Sequence, residues 1–376
     1  MQKHNSYGYI FGGFECSTHR RLDGRRLDMI AATGHDRFAA EDYRRLSNFG
    51  IGAARDGLRW HLIETEPGQH DFSSVNAQLE AAENTGVRVI WDLFHYGYPD
   101  YLDIFSDDFR KRFAAYAAAF AQHHRKITGR APAVVPINEI SFFSWIAAEE
   151  GQFYPYSRGR GDELKIQLVR SAIEAIKAMR AVEQDTFTVS SEPVINVISR
   201  PDEPWLADEA EAYRRSQYQA IDMMTGVLHP HLGGESGLLD MIGVNYYPHN
   251  QWFYPYREMV PLQSELYRPL SDMLIEVYQR YDLPLLISET GTEDDMRPAW
   301  FRYVFDESKK AAASGVDLRG VCLYPILNHP GWADERHCHN GLWDYPDEEG
   351  SRDAFGPLAE EIRGSLQNTS AFRAAR

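Results

Sequence analysis

Cysteine is scarce. The chain of 376 residues holds three, Cys16, Cys322 and Cys338, too few for a disulfide framework and suited to a reducing compartment. No apolar run approaches the roughly 20 residues of a membrane span. The opening MQKHNSYGYIFGG has no uninterrupted apolar stretch of the signal-peptide kind, so a cytoplasmic location and no membrane partner are expected. Positive charge is in deficit: the net charge is −16, which argues against nucleic acid as a partner. Low-complexity segments, linkers and short repeats are missing. No G-x-G-x-x-G follows the first apolar run, where the glycines read Gly12-Gly13, and there is no phosphate-binding loop, C-x-x-C or H-E-x-x-H. No cofactor and no metal are therefore expected. His337-Cys338-His339 offers ligating side chains, but such close residues rarely complete a tetrahedral set. Local loop structure is the expectation there, and Cys16 has no assignable basic partner to make it reactive.

What the chain does have is alternation. Short apolar, β-branched runs at 7–14, 51–57, 87–94, 133–138, 186–191, 241–246, 284–288 and 320–324 read as strands buried on both faces. Between them, 36–49, 107–127, 161–182, 264–281 and 298–313 carry apolar residues at helical spacing. Gly50, Gly86 and Gly315 stand where helices should stop. Eight strands alternating with helices, without a dinucleotide fingerprint, predict a single-domain (β/α)8 barrel over residues 1–376. Aromatic residues make up 13% of the chain, enough for sugar-stacking surfaces as well as a large core.

Barrels of this kind place their chemistry at the carboxyl ends of the strands. Those ends carry Glu15 and His19, Arg55 and Trp60, His95 and Tyr96, Asn138 and Glu139, Glu192, Asn245 and Tyr247, Glu289, then Tyr324, Asn328 and Trp332. Glu139 and Glu289 each end a hydrophobic run, VVPINE and LLISE, on the fourth and seventh strands. They would face each other across the mouth. Glycoside hydrolysis needs such a pair, one carboxyl group protonating the leaving oxygen while the other stays ionised. A separation of about 5–5.5 Å gives retention of configuration, and about 6.5–9.5 Å inversion.

Taken in order, several segments carry a resemblance: Phe11-Gly12, Arg55 to Trp60 (RDGLRW), Pro67-Gly68, His95-Tyr96, Asn138-Glu139, Ile242 to Tyr247 (IGVNYY), Ile287 to Gly291 (ISETG) and Gly341-Leu342-Trp343. The chain resembles the clan A glycoside hydrolases, most closely glycoside hydrolase family 1, the β-glucosidase and β-galactosidase group. The resemblance implies a retaining β-glycosidase acting on a carbohydrate substrate, with Glu139 as acid/base and Glu289 as nucleophile. It also implies that Arg55 and Tyr247 hold Glu289, and that Asn138 and His95 contact sugar hydroxyls. Two features depart from the family: His19 stands for its Gln after strand one, and Gly331 for the Glu before Trp332. Tyr324 stands for the Trp of strand eight. The catalytic chemistry is expected with an altered sugar pocket. Candidate pocket aromatics are Trp60, Tyr96, Tyr98, Phe142, Trp145, Trp252, Trp300 and Trp332, and the aromatic loop 250–256 is either part of that surface or a small satellite core. A transglycosidase and a catalytically silent glycan-binding barrel remain the alternatives.

Overall fold

The computed structural model describes residues 9–367; Tyr7 and Gly8, the start of the first expected strand, lie outside the described residues. Eight parallel strands close into a barrel, each paired with its neighbours in chain order. They are β1 (Ile10–Gly13), β2 (Ala53–Gly57), β3 (Arg88–Asp92), β4 (Ala133–Val135), β5 (Phe187–Pro193), β6 (Met241–Asn245), β7 (Leu285–Thr290) and β8 (Leu318–Leu323). Around them lie α1 (His35–Phe49), α2 (Ser73–Thr85), α3 (Asp107–Thr128), α4 (Gly161–Val182), α5 (Gln219–Met224), α6 (Leu270–Tyr281), α7 (Arg297–Ala313) and α8 (Gly356–Gln367). Each of the eight expected strands overlaps one barrel strand. Helix α6 starts at Leu270 rather than 264, because Pro269 stands at its N-cap in extended conformation (ψ 139°) and disfavours helix in the residue before it. Of helix α2 only the stop at Gly86 was expected. Among the described residues, no helix is long and apolar enough to cross a membrane.

The period of two along each strand sorts its side chains. Phe11, Ala53, Ile90, Val135, Val189, Met241, Leu286, Cys322 and Tyr324 cluster inside the barrel. Ala54, Trp91, Val134, Ile242 and Leu285 join the separate cluster that packs under the helices. Helix α3 shows how one such helix is specified. The Ser106 hydroxyl accepts from the Phe109 N–H, Asp107 and Asp108 occupy the first turn, and Gly129 ends it at φ 71°. Phe109, Phe113, Tyr116 and Phe120 lie on its buried face. Glycine is required at 13: a Cβ there would lie 2.1 Å from the Tyr324 ring, so β1 leaves room for that side chain in the barrel mouth.

One irregularity bears on function. Strict alternation with Leu286 inside would turn Glu289 outward. Opposite β6, however, Ile287 pairs with Val244 and Glu289 with Asn245, so one extra residue, Ser288, is inserted. This bulge re-aims Glu289 into the mouth. Loop 250–256 supplies the middle strand (Gln251–Phe253) of a three-stranded sheet with Asn196–Ile198 and Glu258–Met259.

Candidate active site

Glu139 follows β4 and is held in left-handed conformation (φ 45°), with its N–H bonded to the Ser191 carbonyl at 2.8 Å. A residue other than glycine stays in that region only where its surroundings over-determine it. Asn245 Nδ2 donates to Glu139 Oε1 at 2.9 Å, and the Tyr96 hydroxyl lies 2.7 Å from Oε2. Asn245 Oδ1 accepts from Ser288 Oγ at 2.6 Å and Ser191 Oγ at 3.0 Å, and with the amide in this orientation a proton on Glu139 sits on Oε2. There the Tyr96 hydroxyl, a donor to the carboxylate, can rotate and accept instead.

Glu289 is only 4% exposed, and it is bound differently. Arg55 Nη1 donates to its Oε1 at 2.9 Å and the Tyr247 hydroxyl to its Oε2 at 2.8 Å. Burial and then the charge of Glu289 raise the pKa of Glu139, against the hydrogen bonds of Tyr96 and Asn245. Burial raises Glu289 as well, but Arg55 and His95 oppose it. Two buried acids this strongly coupled do not both ionise easily, and the guanidinium decides which one does. The shared proton belongs on Glu139.

Arg55 in turn is clamped from behind. Its Nη2 meets Asp92 Oδ2 at 2.5 Å, its Nε meets Oδ1 at 3.3 Å, and it also donates to Asn138 Oδ1 at 3.1 Å. Burial pushes Asp92 up, yet the Arg55 charge and the His95 hydrogen bond hold its carboxyl below the ordinary value. His95 Nδ1 lies 3.0 Å from Asp92 Oδ2, and Asn138 Nδ2 points at Nε2 from 3.1 Å. Because Arg55 fixes the Asn138 amide, the neutral form of His95 accepts at Nε2 and carries its proton on Nδ1; burial lowers the pKa of the ring, but the hydrogen bond to Asp92 and the charges of Glu15 and Asp92 raise it overall. Asp92 was not singled out in the sequence, although it ends the apolar run Val89-Ile90-Trp91 as Glu289 ends its own. Glu15 and Asn245 were noted as strand ends without a role.

The mouth above these groups is aromatic. Trp332, from the loop after β8, lies within 5.2–6.3 Å, between ring centroids, of His19, Tyr96, Phe153 and Phe142, and Phe142 lies 5.9 Å from Trp145. His19, 1% exposed, stacks on Phe153 at 4.0 Å.

With this geometry in hand, known proteins give a consistent picture of architecture. No family model matches the chain. An AHE enzyme from Alicyclobacillus herbarius superposes with a TM-score of 0.77 at 16% identity, covering 96% of this chain and 98% of its own. A family 1 β-glucosidase from Thermotoga maritima gives 0.75 at 14% identity over 98% of both chains. The virulence factor SghA from Agrobacterium tumefaciens gives 0.77 at 18% identity, over 96% of this chain and 97% of its own. The shared property is the fold.

Several expected pocket residues lie elsewhere. Trp60 is fully buried on the short helix after β2, donates to Glu64 Oε2 at 2.9 Å and stacks on Tyr116 of α3. The chain has turned outward by then, so Trp60 belongs to the helix layer rather than the sugar pocket. Tyr98 packs beside Phe109 in that layer, and Trp300 of α7 donates to Thr290 Oγ1 at 2.9 Å. Trp252 sits in the small sheet against Tyr213. Two groups bring metal-ligating atoms together, Cys16–Asp92–His95 and His337–His339–Asp344. In the first, Arg55 already holds both oxygens of Asp92, and a divalent cation there would face a guanidinium. In the second, Asp344 Oδ1 accepts from His337, Asn328 and the Tyr345 N–H at 2.7–3.1 Å. Cys338 turns inward and away from its neighbouring histidines.

Proposed function

We propose that this protein is a retaining β-glycosidase, hydrolysing a β-linked glycoside through a covalent glycosyl-enzyme intermediate. The observation that carries the reading is the unequal treatment of two coupled buried carboxylates, with the guanidinium on Glu289 and the proton on Glu139. In the first step Glu289 attacks the anomeric carbon. As the bond to the leaving oxygen breaks, Glu139 gives that oxygen its proton. Water then attacks the same carbon, Glu139 takes its proton, and Glu289 leaves. Asn138, fixed by Arg55 and reaching Tyr96, is placed to hold the sugar 2-hydroxyl, and His95 an adjacent one. Phe142, Trp145 and Trp332 offer ring faces for the leaving group or sugar. Carbohydrate is thus the proposed partner, and the similarity in fold to β-glucosidases supports the reading.

The test is to trap the intermediate with a 2-deoxy-2-fluoro β-glycoside bearing a good leaving group and map the labelled peptide. The label is expected on Glu289, with a β-configured first product by NMR. Glu289→Gly is expected to lose activity by about 10⁴-fold or more, with azide restoring turnover and giving the α-glycosyl azide. A label elsewhere, or an inverted product from the unmodified protein, overturns the assignment. Transfer to an added alcohol in preference to water would mark a transglycosidase, and binding without turnover a silent barrel.

A further inference from the structure

The loop after β8 carries a cluster of side chains that the mechanism above does not use. His337, His339 and Asp344 bring one ligating atom each within 4.8 Å of one another. The two rings are stacked with centroids 4.6 Å apart, and His337 Nε2 lies 2.9 Å from Asp344 Oδ1. A divalent metal with bonds of about 2.0–2.1 Å holds its neighbouring ligand atoms roughly 3 Å apart. His337 and Asp344 already have that spacing. His339 is exposed, its ring nitrogens make no hydrogen bond among the described residues, and a swing of the ring brings it to the same distance. Asp344 thus supplies from outside the His-x-His pair the ligand that two such close residues lack.

The carboxylate is aimed from behind. Asp344 Oδ1 also accepts from Asn328 Nδ2 at 3.1 Å and the Tyr345 N–H at 2.7 Å, and Asn328 Oδ1 in turn accepts the Gly341 N–H at 2.7 Å. Outer partners of this kind orient the ligands of metal sites. The backbone around both histidines is tied down as well. The Cys338 N–H bonds to the His329 carbonyl at 3.2 Å, and the His339 carbonyl accepts the Asp294 N–H at 2.8 Å. Arg336, the cation next in sequence, is held by both oxygens of Glu293 at 2.6 and 2.7 Å, which compensates its charge. The other His-x-His pair, His229 and His231, gives the contrast. Both are exposed, their centroids lie 5.6 Å apart, and among the described residues no acid or thiol joins them in a ligating group.

We propose that His337, His339 and Asp344 bind one divalent metal ion of the zinc, nickel and copper class. Two imidazoles and a carboxylate suit these borderline ions, whereas calcium and magnesium favour oxygen ligands throughout. Three protein ligands leave a further position to water. On binding, the neutral His337 ring moves its proton from Nε2 to Nδ1, so that the nitrogen facing Asp344 is free to ligate. The ion clips together the loop that also carries Trp332 into the mouth. None of its three residues bonds to Glu139 or Glu289 among the described residues, and the ion takes no part in the proposed hydrolysis.

The test titrates zinc chloride into the tag-free, metal-stripped full chain in competition with a chromophoric chelator. One saturable site is expected, undisturbed by a large excess of magnesium. Losing a ligand should cost at least what losing an outer partner costs, so His339→Gln and Asp344→Asn should each weaken binding by about 10- to 100-fold or more. His339→Gln, at an exposed position, should keep its metal-free melting temperature, and the double change His229→Gln with His231→Gln should bind as the unmodified protein does. Copper(II) in place of zinc gives a second readout. Its paramagnetic resonance spectrum should show hyperfine splitting from two imidazole nitrogens, reduced to one by His337→Gln or His339→Gln. No saturable site, equal zinc affinity in the loop variants, or a site lost on Cys16→Ser instead overturns the proposal. No glycoside enters the test, so its outcome is independent of the glycosidase reading.

Discussion

Arg55 and Asp56 are neighbours on β2, but one points into the barrel and the other into the helix layer, and each is the centre of a buried ionic cluster. On the outside, His35 lies between Asp42 at 2.9 Å and Asp56 at 3.0 Å. Asp56 also accepts from Tyr43 at 2.8 Å and Gln78 at 2.9 Å, and Asp42 from Arg45 at 2.6 Å and Arg352 at 2.7 Å. Each of the two acids has at least one basic partner, and the polar atoms that link them are satisfied. On the inside, Glu15, Asp92, Glu139 and Glu289 crowd around Arg55 and His95, and the acids are in excess. A matched cluster holds a fold together, whereas a mismatched one keeps a proton where it can be used. The same strand builds both because successive side chains leave it on opposite faces.

The sharpest way to break this contrast is Asp56→Ala. It should cost about 3–5 kcal/mol of stability, since His35, Tyr43 and Gln78 lose a buried partner, while kcat/KM of the folded protein stays within about threefold. A urea titration beside steady-state kinetics measures both, and equal damage to the two would show that the wall does not insulate them. The outer cluster also predicts a pH dependence. Burial alone would lower His35, but the Asp56 charge and the bonds to Asp42 and Asp56 raise it to about 9. Its contribution is fully present below the unfolded value near 6.5 and is lost as pH rises through about 9, a change of roughly 3 kcal/mol. Melting temperature should therefore fall between pH 6.5 and 9 in the unmodified protein and much less in His35→Gln. The smallest effect is expected on the inner side from Asp92→Asn: a loss of about 10- to 100-fold in kcat, because Arg55 and His95 lose their common anchor. With one anion fewer, Glu289 should ionise more readily, so the acid limb of the pH–rate profile should move to lower pH. A shift upward would mean that Asp92 does not compete for Arg55.

The architecture was legible because parallel strands covered on both faces spell themselves out as apolar runs. The body of helix α2, apart from its stop at Gly86, escaped notice because much of its buried face is small: Val75, Leu79, Ala81 and Ala82 lie among polar residues, with no acid in its first turn. The two central acids were legible as polar breaks at strand ends. Asp92 gave the same signal but was passed over, since a carboxylate after a strand also reads as a cap or an ion-pair partner. Trp60 was misplaced because sequence distance from Arg55 does not tell where the chain turns outward. The bulge at Ser288, without which Glu289 would face the helices, is written in pairing register and has no local sequence mark. The unpartnered ring nitrogens of His19 appear only when its surroundings are known.

The left-handed backbone of Glu139 has an evolutionary side. Glycine is the residue most at ease at that φ, and glutamate codons lie one base away from glycine codons. The change would remove at once a strained dihedral and a buried acid that repels its neighbour. For this barrel, a short mutational path to greater stability passes through the loss of Glu139. Drift without selection for turnover would readily take that step.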